Sequence, residues 1–182
     1  MKMRHLVSFT FFLILSVIIY LFFHLGAYKD VKFELYNPTQ PIFLVYKNHI
    51  GAYHKIVPTI EEVEKWVKTQ NEGCNQSFGE FIDNPQVVEQ SRLRSLGGCV
   101  VSKVFNNNLP EGFYFKELAP QTFLKAIFEG SPAIGPYKVY GKASEWIEKN
   151  GYVLNGSTFE FYTIHSNTAM TTEYLFSIKN KY

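Results

Sequence analysis

Ser77-Phe78-Gly79-Glu80-Phe81 and Thr158-Phe159-Glu160-Phe161-Tyr162 are two renderings of one phrase. Each opens on a hydroxyl residue, encloses an acid among aromatics and reads as a strand. Moving outward from the first copy, Ile42 to Tyr46 is an apolar strand-type run that leads to Gly51-Ala52-Tyr53. A helical stretch follows, in which Thr59 and Glu62 have capping-box spacing after Pro58 and Ile60, Val63 and Val67 form one apolar stripe. It should stop before Gly73, and beyond the first copy Asn84-Pro85 reads as a turn and Leu93 to Val101 as a strand around Gly97-Gly98.

The second copy has the same surroundings. Thr122 to Phe128 is a strand candidate, and Gly135-Pro136-Tyr137 answers Gly51-Ala52-Tyr53. Val139, Ala143, Trp146 and Ile147 build a helical stripe ended by Asn150-Gly151, and Glu173 to Ile178 is the last strand. Trp66-Val67 and Trp146-Ile147 hold matching places, and both tryptophans read as core packing. Each half is therefore strand, helix, strand, strand, with an extra strand at Gly112 to Leu118 between them. The pattern predicts an α+β fold: a pseudo-twofold duplicated strand-helix-strand-strand antiparallel sheet, with helices on one face, preceded by a single transmembrane helix.

Of the 182 residues, 46% are hydrophobic and 19% charged, which excludes a disordered chain and fits one core-bearing domain. A net charge of +2 gives no field suited to nucleic acid, so none is expected as a partner. No Cys/His spacing suggests a metal, and no cofactor motif is present. Cys74, expected in a loop, and Cys99, expected on a strand, read as free thiols unless the domain faces an oxidising compartment.

Leu6 to Leu25 is a run of 20 residues without Asp, Glu, Lys or Arg, long enough as a helix to cross a hydrocarbon core of about 30 Å. Its length favours an uncleaved anchor over a cleavable signal. Residues 1–28 are read as the anchor, 29–41 as a connector carrying Asn37-Pro38 and Gln40-Pro41, and 42–182 as the folded domain. Lys2 and Arg4 before the span nearly balance Lys29 and Lys32 after it, so the side of the membrane is left open. Asn75-Gln76-Ser77 and Asn155-Gly156-Ser157 match the glycosylation sequon, which matters only in a eukaryotic lumen.

The duplicated order, with Phe78-Gly79-Glu80-Phe81, Asp83-Asn84-Pro85, Leu93-Arg94 and Glu173-Tyr174-Leu175-Phe176-Ser177-Ile178, resembles the GyrI-like, or AraC-type effector-binding, small-molecule domain over about Gln40 to Lys179. Within it the sequence is similar to the membrane-anchored branch typified by the testis-expressed endoplasmic-reticulum autophagy receptor, through Tyr46 to Tyr53, Asp83-Asn84-Pro85 and Arg94. The receptor's long adaptor-binding tail has no counterpart before the last residue here, Tyr182, and nothing resembles the helix-turn-helix of the transcription-factor members.

The resemblance implies a cleft for hydrophobic or cationic small molecules, walled by aromatics and carrying an acid. It places Glu173 at the acidic position, with Tyr53 and Tyr137 lining the cleft. Alternative readings are a solvent-facing Glu173 and tyrosines that only brace the glycine turns. Arg94 reads as a structural ion-pair partner, His49 as a local hydrogen-bonder, and no catalytic residue is assigned. Two other functions compete with small-molecule binding: a protein-interaction scaffold at the membrane, and a small-molecule hydrolase using Glu173, which would need it within hydrogen-bond reach of substrate.

Overall fold

The computed structural model describes residues 2–70, 73–102, 104–105, 109–166 and 169–182. An apolar helix, α1 (Lys2–His24), comes first. The two repeat units are β2 (Ile42–Ile50), α2 (Val57–Thr69), β3 (Gln76–Phe81) and β4 (Arg94–Val101), then β6 (Phe123–Glu129), α3 (Gly135–Lys149), β7 (Tyr152–Ser166) and β8 (Ala169–Asn180). With β1 (Lys32–Tyr36) and β5 (Phe113–Leu118) the strands make one eight-stranded sheet ordered β1-β6-β8-β7-β3-β4-β2-β5. All neighbours run antiparallel.

The two copies of the phrase meet at the centre. Gly79 on β3 lies opposite Glu160 on β7, and a pseudo-twofold axis through that pair carries one half onto the other. The edges are exchanged: β1, which precedes the first unit, pairs with β6 of the second, and β5, which precedes the second, pairs with β2 of the first. The segment 29–41, expected to be a connector, thus supplies an edge strand, and the sheet begins at Lys32 rather than near Ile42. The apolar signal of Lys32-Phe-Glu-Leu-Tyr36 is short and alternating, and the prolines that follow it mask it.

Both helices cover one face. Val63 and Val67 bury against Val45, Cys99 and Val101, with Ile60 buried over Gly97, and Val139, Ala143 and Ile147 bury against Leu124, Ala126 and Phe176. Full burial of each such large aliphatic side chain is worth roughly 1.5–3 kcal/mol, so the stripes suffice to seat the helices. Helix α2 starts at Val57 with Pro58 in its first turn, so Thr59 is an interior residue and not the cap its spacing suggested. Gly97 lets α2 sit close: a Cβ there would lie 2.9 Å from Ile60 Cγ1.

The opposite face has no helix, yet Leu44, Phe78, Phe123, Phe159, Phe161 and Leu175 are buried on it. The sheet curls around this face, so that Lys116 on edge strand β5 pairs with Glu80 on β3 and lies 5.2 Å from the Phe159 ring centre on β7.

Cys74 and Cys99 form a disulfide, which corrects the free-thiol expectation. The reason is register: Ser77 sits opposite Cys99 across β3 and β4, and Asn75 N–H donates to Val100 O at 3.0 Å, which brings the loop cysteine over its strand partner. Cys99 is fully buried beside Val63 and Val67.

Candidate functional site

Strand alternation puts Phe159 and Phe161 on the helix-free face of β7 and Glu160 and Tyr162 on the face beneath α3. Because β7 is a central strand, both faces are covered, and Glu160 is only 6% exposed. Two phenols hold its carboxyl: Tyr140 of α3 donates to Oε1 at 2.9 Å and Tyr162 to Oε2 at 3.1 Å. Among the described residues no cation pairs with it. Burial pushes the Glu160 carboxyl up to about 7, with the two tyrosine hydrogen bonds pulling the other way.

Tyr174 of β8, directly opposite Glu160, completes the group. Its hydroxyl is buried beside Thr172 without a hydrogen bond of normal geometry, and burial pushes this phenol above the usual tyrosine range. The hydroxyl fits there because α3 begins on glycine: a Cβ on Gly135 would lie 2.2 Å from it. The rings of Tyr140 and Tyr162 are half-buried, so they close the site from outside while their hydroxyls point to the acid. An organic cation entering between these rings would meet a carboxylate with no other counter-charge, and an aromatic face adds up to about 2 kcal/mol for a desolvated cation.

Residues 39–179 match the model of the GyrI-like small molecule binding domain. The chain belongs to this family. Two similar solved structures are of EcmrR. The cryo-EM structure of the EcmrR-DNA complex in EcmrR-RPo aligns over 98% of this chain and 69% of its own, with 15% identity and a TM-score of 0.68. The crystal structure of the EcmrR C-terminal domain aligns over 82% of this chain and 98% of its own, with 16% identity and a TM-score of 0.67. No curated protein matches the sequence.

Within this GyrI-like domain the three residues expected to form the site occupy three different settings. Glu173 faces the helix-free side, between Ile127 and Phe161, and pairs with Lys125 at 3.2 Å. Lys125 also lies 5.4 Å from the Tyr36 ring centre and 3.5 Å from Glu34, so this lysine stands among two acids and an aromatic ring. Tyr53, on a 3-10 turn before α2, spends its hydroxyl on the backbone of Asp83, donating to its carbonyl at 2.7 Å and accepting from its N–H at 3.0 Å. Tyr137 is 90% exposed on α3.

Other expectations hold. Arg94 pairs with Asp83 at 2.6 Å, His49 Nε2 lies 3.3 Å from Ala52 O, and Trp66 and Trp146 pack against the two helix-side cores. The acid at the GyrI-like seam was nevertheless visible in the sequence. The two phrases differ where Gly79 is answered by Glu160 and Phe81 by Tyr162, so on the face beneath the helices polar groups enter the second copy only, whereas the first copy's acid, Glu80, lies on the opposite face and pairs with Lys116.

Proposed function

We propose that this chain is a membrane-anchored receptor for lipophilic organic cations, bound between α3 and the sheet with Glu160 as counter-charge and Tyr140, Tyr162 and Tyr174 as aromatic walls. The observation that carries this is a buried carboxylate held by two phenols and lacking a cationic partner among the described residues. Membership of a small-molecule-binding family supports a small-molecule ligand, and tyrosine walls favour positively charged guests. Entry requires Tyr140 to swing outward. Glu173 lies on the opposite face of the sheet from this site, paired with Lys125.

The decisive experiment titrates full-length protein with a lipophilic cation such as tetraphenylphosphonium. Glu160→Gln should weaken binding about tenfold or more, the scale of one lost charge-assisted contact, and Glu173→Gln should leave it unchanged. Equal affinity for wild type and Glu160→Gln would overturn the assignment, and loss confined to Glu173→Gln would return the acid's role to that residue. Consumption of an electrophilic ligand, abolished by Glu160→Gln while binding persists, would favour the hydrolase reading.

The anchor in this proposal is Val7–His24, a helix segment of mean hydropathy 2.2 with none of its residues buried. It is retained, as in the membrane-anchored branch the sequence resembles, and the domain lies on the oxidising side, where the Cys74–Cys99 bond persists.

A further inference from the structure

The end of α1 is fastened to the sheet rather than tethered. Leu25 O accepts from Ser131 N–H at 3.0 Å, and Lys138 Nζ donates to the carbonyls of Ala27, at 2.5 Å, and Lys29. The chain turns there at Gly26, φ +72°, where a Cβ would lie 3.2 Å from Gly130 Cα. Two adjoining cavities of about 380 and 270 Å³ open beside this joint and share Lys29 and Glu129. The larger is walled on one side by Phe23 and His24, the last turn of the apolar helix, and on the other by His165 of β7.

If α1 spans a bilayer, as proposed above, its last turn fixes the depth of the cavity: it lies where the hydrocarbon core gives way to headgroups. The walls of the larger cavity carry one ammonium, Lys29, and one carboxylate, Glu129, with Asp30 and Lys32 added only in the smaller, and among the described residues neither Lys29 nor Glu129 is in an ion pair. The rings of Phe23 and Tyr28, 5.5 Å apart, form the apolar edge toward the bilayer. We infer that the α1–sheet junction is a binding site for a zwitterionic phospholipid headgroup from the surrounding bilayer, with Lys29 holding the phosphate and Glu129 the amine. A headgroup bearing only negative charge would satisfy Lys29 and be repelled by Glu129, so the site discriminates by charge pattern and not only by attraction. The seated lipid would fix the pose of the domain over the membrane, because the joint transmits the helix direction directly into β6 and α3.

The test uses the full chain, purified in mild detergent and exposed to an equimolar mixture of phosphatidylethanolamine and phosphatidylglycerol, with retained lipid read by native mass spectrometry. Wild type should retain phosphatidylethanolamine preferentially. Glu129→Lys should reverse the preference toward phosphatidylglycerol, and Lys29→Gln should cut total retention, each by about tenfold. Soluble glycerophosphoethanolamine should not compete, since it lacks the chains that deliver the headgroup to this depth. Equal retention of both lipids, or the same ratio in wild type and Glu129→Lys, overturns the headgroup site. Intact mass of the same samples, and alkaline carbonate extraction of the membranes from which they are purified, separate the premises. A chain lacking residues 1–24 shows that the anchor reading failed, whereas an intact, carbonate-resistant chain with unchanged lipid ratio shows that the headgroup site alone failed.

Discussion

The two halves of this molecule share a backbone plan and differ in what they place beneath their helices. Under α2 the first half puts Gly97 against Ile56 and Ile60, so the helix closes directly on the sheet, while Gly79 lies beside the ring of Phe81 and the Tyr162 hydroxyl. The pseudo-twofold carries Gly79 to Glu160, Gly97 to Tyr174 and Phe81 to Tyr162, and the matching stripe position on α3 to Ile60 is Tyr140. Cys99, at the start of the disulfide that ties α2's loop to the sheet, is answered by Phe176. One half is therefore sealed and cross-linked while the other keeps an acid and three phenols in the equivalent space. A duplication leaves one copy free to hold the fold while the other carries polar groups that cost stability.

The largest expected effect breaks the sealed half. Replacing both Cys74 and Cys99 with Ala should destabilise the folded domain by about 3–4 kcal/mol, the loss expected for opening a cross-link with a sequence separation of 25. Urea unfolding with and without reductant checks it: reductant should move wild type toward the variant and leave the variant where it is. A change below about 1 kcal/mol would mean that the glycine-helix packing, not the bond, holds this half.

Next in size is the acid of the other half. The folded-state value of Glu160 lies near 7, above its usual 4.5, so the native state binds more protons than the unfolded chain between these values. Stability is then fullest below about 4.5, falls as pH rises through the window and levels off above about 7. Glu160→Gln should remove this slope and raise stability at pH 8 by roughly 3 kcal/mol, since each pKa unit corresponds to about 1.36 kcal/mol. Parallel pH–stability curves for wild type and variant would contradict the buried, unpaired acid.

How much of this was legible follows from the same comparison. The strands of the two repeat units, both sheet-packed helices and the duplication were readable because they repeat a local pattern of apolar spacing, as in Ile60-Val63-Val67 and Val139-Ala143-Ile147. Strand β1 and the disulfide were not, because both depend on register between segments distant in sequence: Glu34 opposite Lys125, and Ser77 opposite Cys99. The site was half legible. Glu160 stood in the quoted phrase, but only the central position of β7 shows that both its faces are buried, and that turns an ordinary strand acid into a desolvated one. Glu173, on the neighbouring strand but the other face, has the same local sequence character and meets Lys125 instead.

The finest comparison is between the two phenols on Glu160 and their absence across the axis. Tyr140→Phe removes one donor without changing the ring, and the cost should be about 1 kcal/mol, the net worth of a single hydrogen bond. That bond favours the ionised carboxyl, so its loss moves the Glu160 midpoint higher still, and the falling limb of the stability curve should extend above pH 7. The affinity for a lipophilic cation should follow the same midpoint. It should rise with pH below the midpoint, where binding must expel a proton, and become flat above it, with the break displaced upward in Tyr140→Phe. Calorimetry in two buffers of different ionisation heat measures the expelled proton directly. A cation that binds without proton release below pH 7, or a break that does not move in Tyr140→Phe, would show that the guest sits away from this carboxyl and that the polar half of the seam serves the fold alone.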